Sequence, residues 1–280
     1  MRRVSRNKCF GGFQDVYQHE SSALNCSMKF SLYLPASVVA NSGQRAPALF
    51  YLSGLTCTEQ NFVTKAAAQQ HASRHHLILV GPDTSPRGAD VPDSDETALG
   101  QGAGFYVNAT RQPWSKHYQM YDYVTRELPE LIEREFPTTN RFGIFGHSMG
   151  GHGAIIAALR CPERFGSASA FAPIASALRC PWGEQALSEY LGGNRQTWES
   201  YDVCAQIERY QGSPIDLLID QGTADEFIDT QLKPHLLEEA AAANPTVRLQ
   251  LRRQDGYDHS YYFISTFVAD HIAHHARLLS

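Results

Sequence analysis

Short uninterrupted apolar runs recur through this 280-residue chain and restrict its fold more than any other feature: residues 46–54 (APALFYLSG), 76–83 (HLILVGPD), 141–146 (RFGIFG) and 214–220 (PIDLLID). A strand with one wet face alternates polar and apolar side chains. A run without alternation needs cover on both faces, as in a parallel sheet between helical layers. Two further runs, 26–35 (CSMKFSLYLP) and 247–253 (VRLQLRR), do alternate and read as half-exposed strands. Helical stretches fall between the runs, near 59–74, 117–135, 150–160, 184–191, 228–243 and 260–278. The pattern predicts an α/β fold: a mostly parallel, doubly wound sheet flanked by helices, with antiparallel strands at its N-terminal edge. No shift in composition marks a seam, so residues 1–280 are expected to form one domain. Segment 84–114 is long and aperiodic, which in a compact domain marks a functional or mobile loop.

With 42% hydrophobic and 19% charged residues, the chain has ample material for a core and no signature of disorder. A net charge of −5 with scattered Lys and Arg offers no basic field, so a nucleic-acid partner is not expected. The N-terminal MRRVSRNKCFGGF is basic but no apolar run follows it, so it does not read as a secretory signal. No stretch approaches the ~18 apolar residues of a spanning helix, and a cytoplasmic protein without a membrane partner is expected. The six cysteines show no CxxC spacing and are too sparse for a disulfide scaffold or a zinc finger.

Chemistry enters at Gly146-His147-Ser148-Met149-Gly150, a G-x-S-x-G pentapeptide entered directly from the apolar run RFGIF and followed by the small-residue helix start GGHGAIIAALR. A strand-to-helix elbow of this kind holds its serine in a strained turn and exposes the hydroxyl at the carboxyl edge of the sheet. A serine hydroxyl is a weak nucleophile near neutral pH. It needs a base to take its proton and a third group to orient that base, in the chain order Ser, acid, His. Of twelve histidines, His259 is the one in the loop between the last expected strand and the last helix. His147 adjoins the serine, but the turn is expected to point it away from the pocket, and His235 sits within a helix. The loop after the penultimate run, LLIDQGTADEF, offers Asp220, Asp225 and Glu226 as the acid. Asp220 ends the run and suits anchoring backbone, whereas Asp225 lies in the turn that can reach the imidazole, so Asp225 is favoured. Asp258 is sequence-adjacent to His259 and badly placed for its ring, and Asp229 reads as a helix-opening residue. Donors for the developing oxyanion fall on the amide of Met149 and on the loop Ser53–Cys57, with the Leu55 amide preferred.

Other signals are discounted. Gly100-Gln-Gly-Ala-Gly-Phe lacks nucleotide-loop spacing and no strand precedes it, so it reads as irregular loop. His271, His274 and His275 share a helical face, but in the last turns of a terminal helix His is accounted for by the helix dipole; no metal is expected. Cys57 follows the oxyanion loop and is a poor rival to Ser148 as nucleophile.

Taken together, SGLTCTEQNF (53–62), PDTSPRG (82–88), GAGFYVNAT (102–110), GHSMGGHGA (146–154), SAFAPI (169–174), CPWG (180–183), LIDQG (218–222) and GYDHSYYFI (256–264) resemble the S-formylglutathione hydrolases, or esterase D, a family with the α/β-hydrolase fold. The blocks occur in the family's order and cover nearly the whole chain. The resemblance implies hydrolysis of S-formylglutathione to glutathione and formate in formaldehyde detoxification, with side activity on short-chain esters, no cofactor, and a homodimer. It also implies Ser148 as nucleophile, His259 as base, Asp225 as acid, the Leu55 and Met149 amides as oxyanion hole, a pocket cysteine at Cys57, and Trp182 bordering the glutathione side. A general short-chain carboxylesterase or an acyltransferase of mycolyl-transferase type would use the same scaffold.

Overall fold

The computed structural model describes residues 1–40 and 43–280. Among these, β1 (Arg2–Cys9), β2 (Gly12–Ser21), β3 (Cys26–Leu34), β4 (Ala46–Leu52), β5 (Ile78–Pro82), β6 (Thr138–His147), β7 (Phe165–Phe171), β8 (Ile215–Gly222) and β9 (Val247–Gln254) form one sheet in the order β1-β2-β3-β5-β4-β6-β7-β8-β9. The pairs β1–β2, β2–β3 and β3–β5 are antiparallel, and every pair from β5–β4 to β8–β9 is parallel. This is the expected mostly parallel sheet with an antiparallel N-terminal edge. β1 forms the open edge, exposed over seven of its eight residues and lined with Arg2, Arg3, Arg6 and Lys8, charges that discourage further strand pairing.

The helices used below are α1 (Glu59–Lys65), α2 (Ala68–Arg74), α3 (Leu128–Glu135), α4 (Met149–Arg160), α5 (Pro181–Leu191), α6 (Val203–Arg209), α7 (His235–Ala243) and α8 (Tyr261–Leu279). They cover both faces, as alternation along β7 makes plain. Ser167, Ser169 and Phe171 turn toward α8, touching His275 and His271, while a Cβ on Gly151 of α4 would meet Ala170 on the other side. Among the described residues no helix is long and apolar enough to cross a membrane.

Three expected helices are broken or reshaped, each for a local reason. The stretch 59–74 divides at Ala67, which adopts φ 55°. The stretch 228–243 divides at Lys233, with φ 50°, ahead of Pro234, whose ring is incompatible with a preceding helical residue. The stretch 117–135 widens to i→i+5 turns over 123–127, just before Pro129, which has no N–H for the regular ladder. The apolar-run signal missed β7, whose sequence FGSASAF is built of small residues because a helix presses on each face. It also missed α6, capped by Asp202 Oδ1 accepting the Ala205 amide at 3.0 Å.

Candidate active site

The parallel strands deliver their carboxyl ends to one rim. β4 runs into the Ser53–Cys57 loop, β6 into Ser148, β8 toward Asp225 and β9 toward His259. Ser148 has φ 57° and ψ −121°, a backbone region that L-residues rarely occupy and that the surrounding packing must enforce. Its amide donates to Phe171 O at 3.0 Å and its carbonyl accepts from His152 N at 3.0 Å. The flanking glycines are obligatory, since a Cβ on Gly146 would collide with the carbonyls of Gly150 and Leu52, and one on Gly150 with that of Leu52. The elbow expected from the pentapeptide is therefore present.

His259 Nδ1 donates to Asp225 Oδ2 at 2.6 Å. Because a carboxylate can only accept, the proton sits on Nδ1 and the Nε2 lone pair is available to a hydroxyl. Asp225 is buried and its remaining capacity is used: Oδ1 accepts the Phe227 amide at 2.9 Å, and Oδ2 also accepts Gln221 Nε2 at 3.2 Å. The imidazole lies between the Phe227 ring, edge-on at 5.1 Å, and the His147 ring at 4.3 Å. Ser148 and His259 line the same cleft, but Ser148 Oγ is not hydrogen-bonded to the imidazole. Such bonds are commonly long until the reacting group is in place.

Of the expected oxyanion donors, Leu55 lines the cleft and Met149 follows Ser148 directly in the chain. Met149 opens α4, so its amide has no intrahelical acceptor. In the Ser53–Cys57 loop, the Thr56 amide is spent on Gly102 O at 2.9 Å and the Cys57 amide on Gly54 O at 3.3 Å, while the Leu55 amide has no acceptor among the described residues. The loop is pinned by the aperiodic segment 84–114. Thr84 Oγ1 and Arg87 Nη2 donate to Cys57 O at 2.6 and 3.0 Å, and Tyr106 Oη donates to Ser53 O at 2.9 Å. Arg87 is itself held by Asp83 at 2.9 Å; burial pushes that carboxyl up to about 6 despite the guanidinium.

The cleft holds about 380 Å³ and is lined by Gly54, Leu55, Thr56, Cys57, Asn61, Lys65, Thr97, His147, Ser148, Trp182, Phe227, His259 and Tyr261. Cys57 and Trp182 both line this cleft. Burial pushes the Cys57 thiol up, away from the reactive thiolate, and Trp182 packs on Phe227 at 4.8 Å.

Some expectations are corrected. His147 does not point away from the pocket but lines it, buried against His259. Burial and that neighbour hold it well below the ordinary histidine range, so it is a neutral ring. Asp220 does not end its strand or anchor backbone; within β8 it takes Arg252 at 2.5 and 2.6 Å and His271 at 3.1 Å. Asp229 does not cap a helix but lies inside the turn Ile228–Leu232. His271 and His275 are not accounted for by the helix dipole; they are fully buried against the sheet, bonded to Ser167, Ser169 and Asp220. Sequence reasoning missed Asn61, Lys65, Arg87, Tyr106, Gln221, Phe227 and Tyr261. Of these, Asn61 and Lys65 could have been found from their spacing of four on one helix face near the oxyanion loop.

The chain is similar to known proteins over its whole length. The Esterase family matches residues 21–274. The S-formylglutathione hydrolase of Mus musculus is 52% identical over 283 residues, spanning 100% of this chain and 99% of the mouse protein. The solved S-formylglutathione hydrolase of Agrobacterium tumefaciens is 49% identical with a TM-score of 0.96, covering 100% of both chains. A fluorophosphonate-binding serine hydrolase of Staphylococcus aureus, 18% identical with a TM-score of 0.74 over 95% of this chain and 98% of its own, shares the fold.

Proposed function

Since the chain belongs to the S-formylglutathione hydrolases of the Esterase family, we propose that it hydrolyses S-formylglutathione to glutathione and formate by an acyl-enzyme route through Ser148. The observation that carries the mechanism is the 2.6 Å His259–Asp225 bond beside a serine held at φ 57°. In the first half-reaction His259 Nε2 takes the hydroxyl proton as Ser148 Oγ attacks the formyl carbon. The Leu55 and Met149 amides meet the charge that develops on the carbonyl oxygen. The C–S bond then breaks, and the imidazolium gives its proton to the departing glutathione thiolate. In the second half, water deprotonated by the same imidazole attacks the formyl-serine, releasing formate and restoring the hydroxyl. Asp225 holds the tautomer and offsets the imidazolium charge in both halves.

Trp182 and Phe227 supply an apolar wall for the tripeptide side of the cleft, and Cys57 borders the pocket near the oxyanion loop. Short-chain esters fit the same chemistry as side substrates. The reading requires no cofactor and extends to one domain over 1–280, a cytoplasmic location and a homodimer, for which thermal unfolding, cell fractionation and light scattering are the tests. The decisive experiment follows formate released from S-formylglutathione. The wild-type protein is expected to turn it over, and Ser148→Ala to fall to the uncatalysed rate; equal release from both would end this reading.

A further inference from the structure

In a chain of net charge −5, the cleft lining among the described residues includes no carboxylate and one fixed cation, Lys65. Lys65 closes α1, its side chain is exposed, and its Nζ lies 5.5 Å from the Tyr261 ring centre. Among the described residues it makes no ion pair or hydrogen bond, so its charge is available at the rim. Asn61, one turn earlier, lines the same rim. Its Oδ1 accepts the Thr58 amide at 2.9 Å, and because a backbone N–H can only donate, that bond fixes which end is oxygen. The Nδ2 donors, with no partner among the described residues, are what Asn61 can offer the cleft.

The leaving group of the reaction proposed above carries two carboxylates and one ammonium, a net charge of −1 on the thioester. Resting on that reading, we propose that Lys65 and Asn61 are specificity-determining residues that anchor a carboxylate of the glutathionyl moiety, a point charge and a neutral donor meeting one anion. Neither touches the reacting atoms. A compact ammonium on a flexible stem suits a mobile peptide carboxylate, and rim exposure makes the contribution modest and sensitive to salt.

The test compares steady-state kinetics on S-formylglutathione and on neutral 4-nitrophenyl acetate for the wild type, Lys65→Met, Lys65→Arg and Asn61→Asp. The last variant keeps the oxygen that caps α1 while replacing the donor by a repelling charge. Lys65→Met and Asn61→Asp are each expected to raise KM for the thioester about fivefold, in keeping with one exposed charge contact, with kcat and all ester kinetics unchanged. Lys65→Arg is expected to stay near the wild type. Raising salt from about 0.01 to 1 M should bring the wild-type thioester KM toward that of Lys65→Met. S-formylglutathione with its glycyl carboxyl esterified then tells which carboxylate is held, as Lys65→Met adds no further loss if it is that one. The proposal is overturned if KM for the thioester is unmoved, or if both substrates lose together. A wild type that cleaves the ester but releases no formate from S-formylglutathione instead overturns the hydrolase reading, and the anchor with it.

Discussion

Asp225 and His147 show how differently two residues beside one reaction centre can be read. Asp225 could be singled out as the candidate acid because a loop leaving a parallel strand at this rim has few acids to offer. Its surroundings explain why the carboxylate stays in place: it is buried and takes three donors, from His259, Phe227 and Gln221. Asp225→Asn would put an amide where the Nδ1 proton must be accepted and favour the wrong tautomer. The expected outcome is a fall in kcat of about 10³- to 10⁴-fold with KM little changed, read from steady-state rates on S-formylglutathione. A loss under about tenfold would mean that His259 is oriented by its ring neighbours alone. For His147, sequence gave the wrong direction, because the orientation of a side chain next to an elbow depends on a φ of 57° that no local propensity encodes.

Among the elements, the apolar strands were legible wherever branched and aromatic side chains form unbroken runs, as in β4, β5, β6 and β8. β7 was not, because two helices close on it and between Phe165 and Phe171 it carries only Gly, Ser and Ala. The 84–114 segment has no periodicity to read, yet it fixes the Ser53–Cys57 loop through Thr84, Arg87, Gly102 and Tyr106. Arg87 joins these roles by binding Asp83 with its Nε and Cys57 O with its Nη2. Arg87→Met would strand the buried Asp83 carboxyl and free the loop. The expected cost is about 2 kcal/mol in urea unfolding, together with a fall in kcat larger than any change in KM. Asp83→Asn combined with Arg87→Met should recover much of the stability without recovering the rate, since the loop stays unpinned; recovery of both would show that the pair acts through stability alone.

At the scale of the whole molecule, a continuous polar chain ties α8 to the sheet. Asp220 accepts from Arg252 and from His271 Nε2, Ser169 donates to His271 Nδ1 and accepts from His275 Nε2, and Ser167 donates to His275 Nδ1. This order of donors is complete only with both imidazoles neutral. Burial lowers His271 despite Asp220, and holds His275 well below the ordinary range, as it does His147; His152 is lowered too. For Asp220, burial pushes upward, but the bonds from His271 and Arg252 outweigh it and hold the carboxyl at about 2. The signs agree. A histidine whose folded pKa is depressed binds its proton more readily unfolded, so stability is lost as pH falls below about 6.5. The depressed carboxyl contributes about 2 kcal/mol that is present above pH ~4 and lost as pH falls toward 2. Asp83, raised to about 6, works the other way, its contribution fading as pH rises through that value, but it is one group against these four histidines and Asp220. Urea midpoints are therefore expected to fall from about pH 6.5 downward and more steeply below pH 4; a midpoint flat from pH 7 to 4 would contradict this account. The sequence by itself determined most of the parallel strands, where the serine elbow sits, and which acid and histidine are candidates to serve it, because periodicity, glycine spacing and chain order are local or ordinal properties. Only the tertiary structure decided that His147 turns inward, that His271 and His275 are buried against the sheet, and that Lys65 and Asn61 reach the cleft. Side-chain direction and shared burial are set by elements that meet only once the chain has folded.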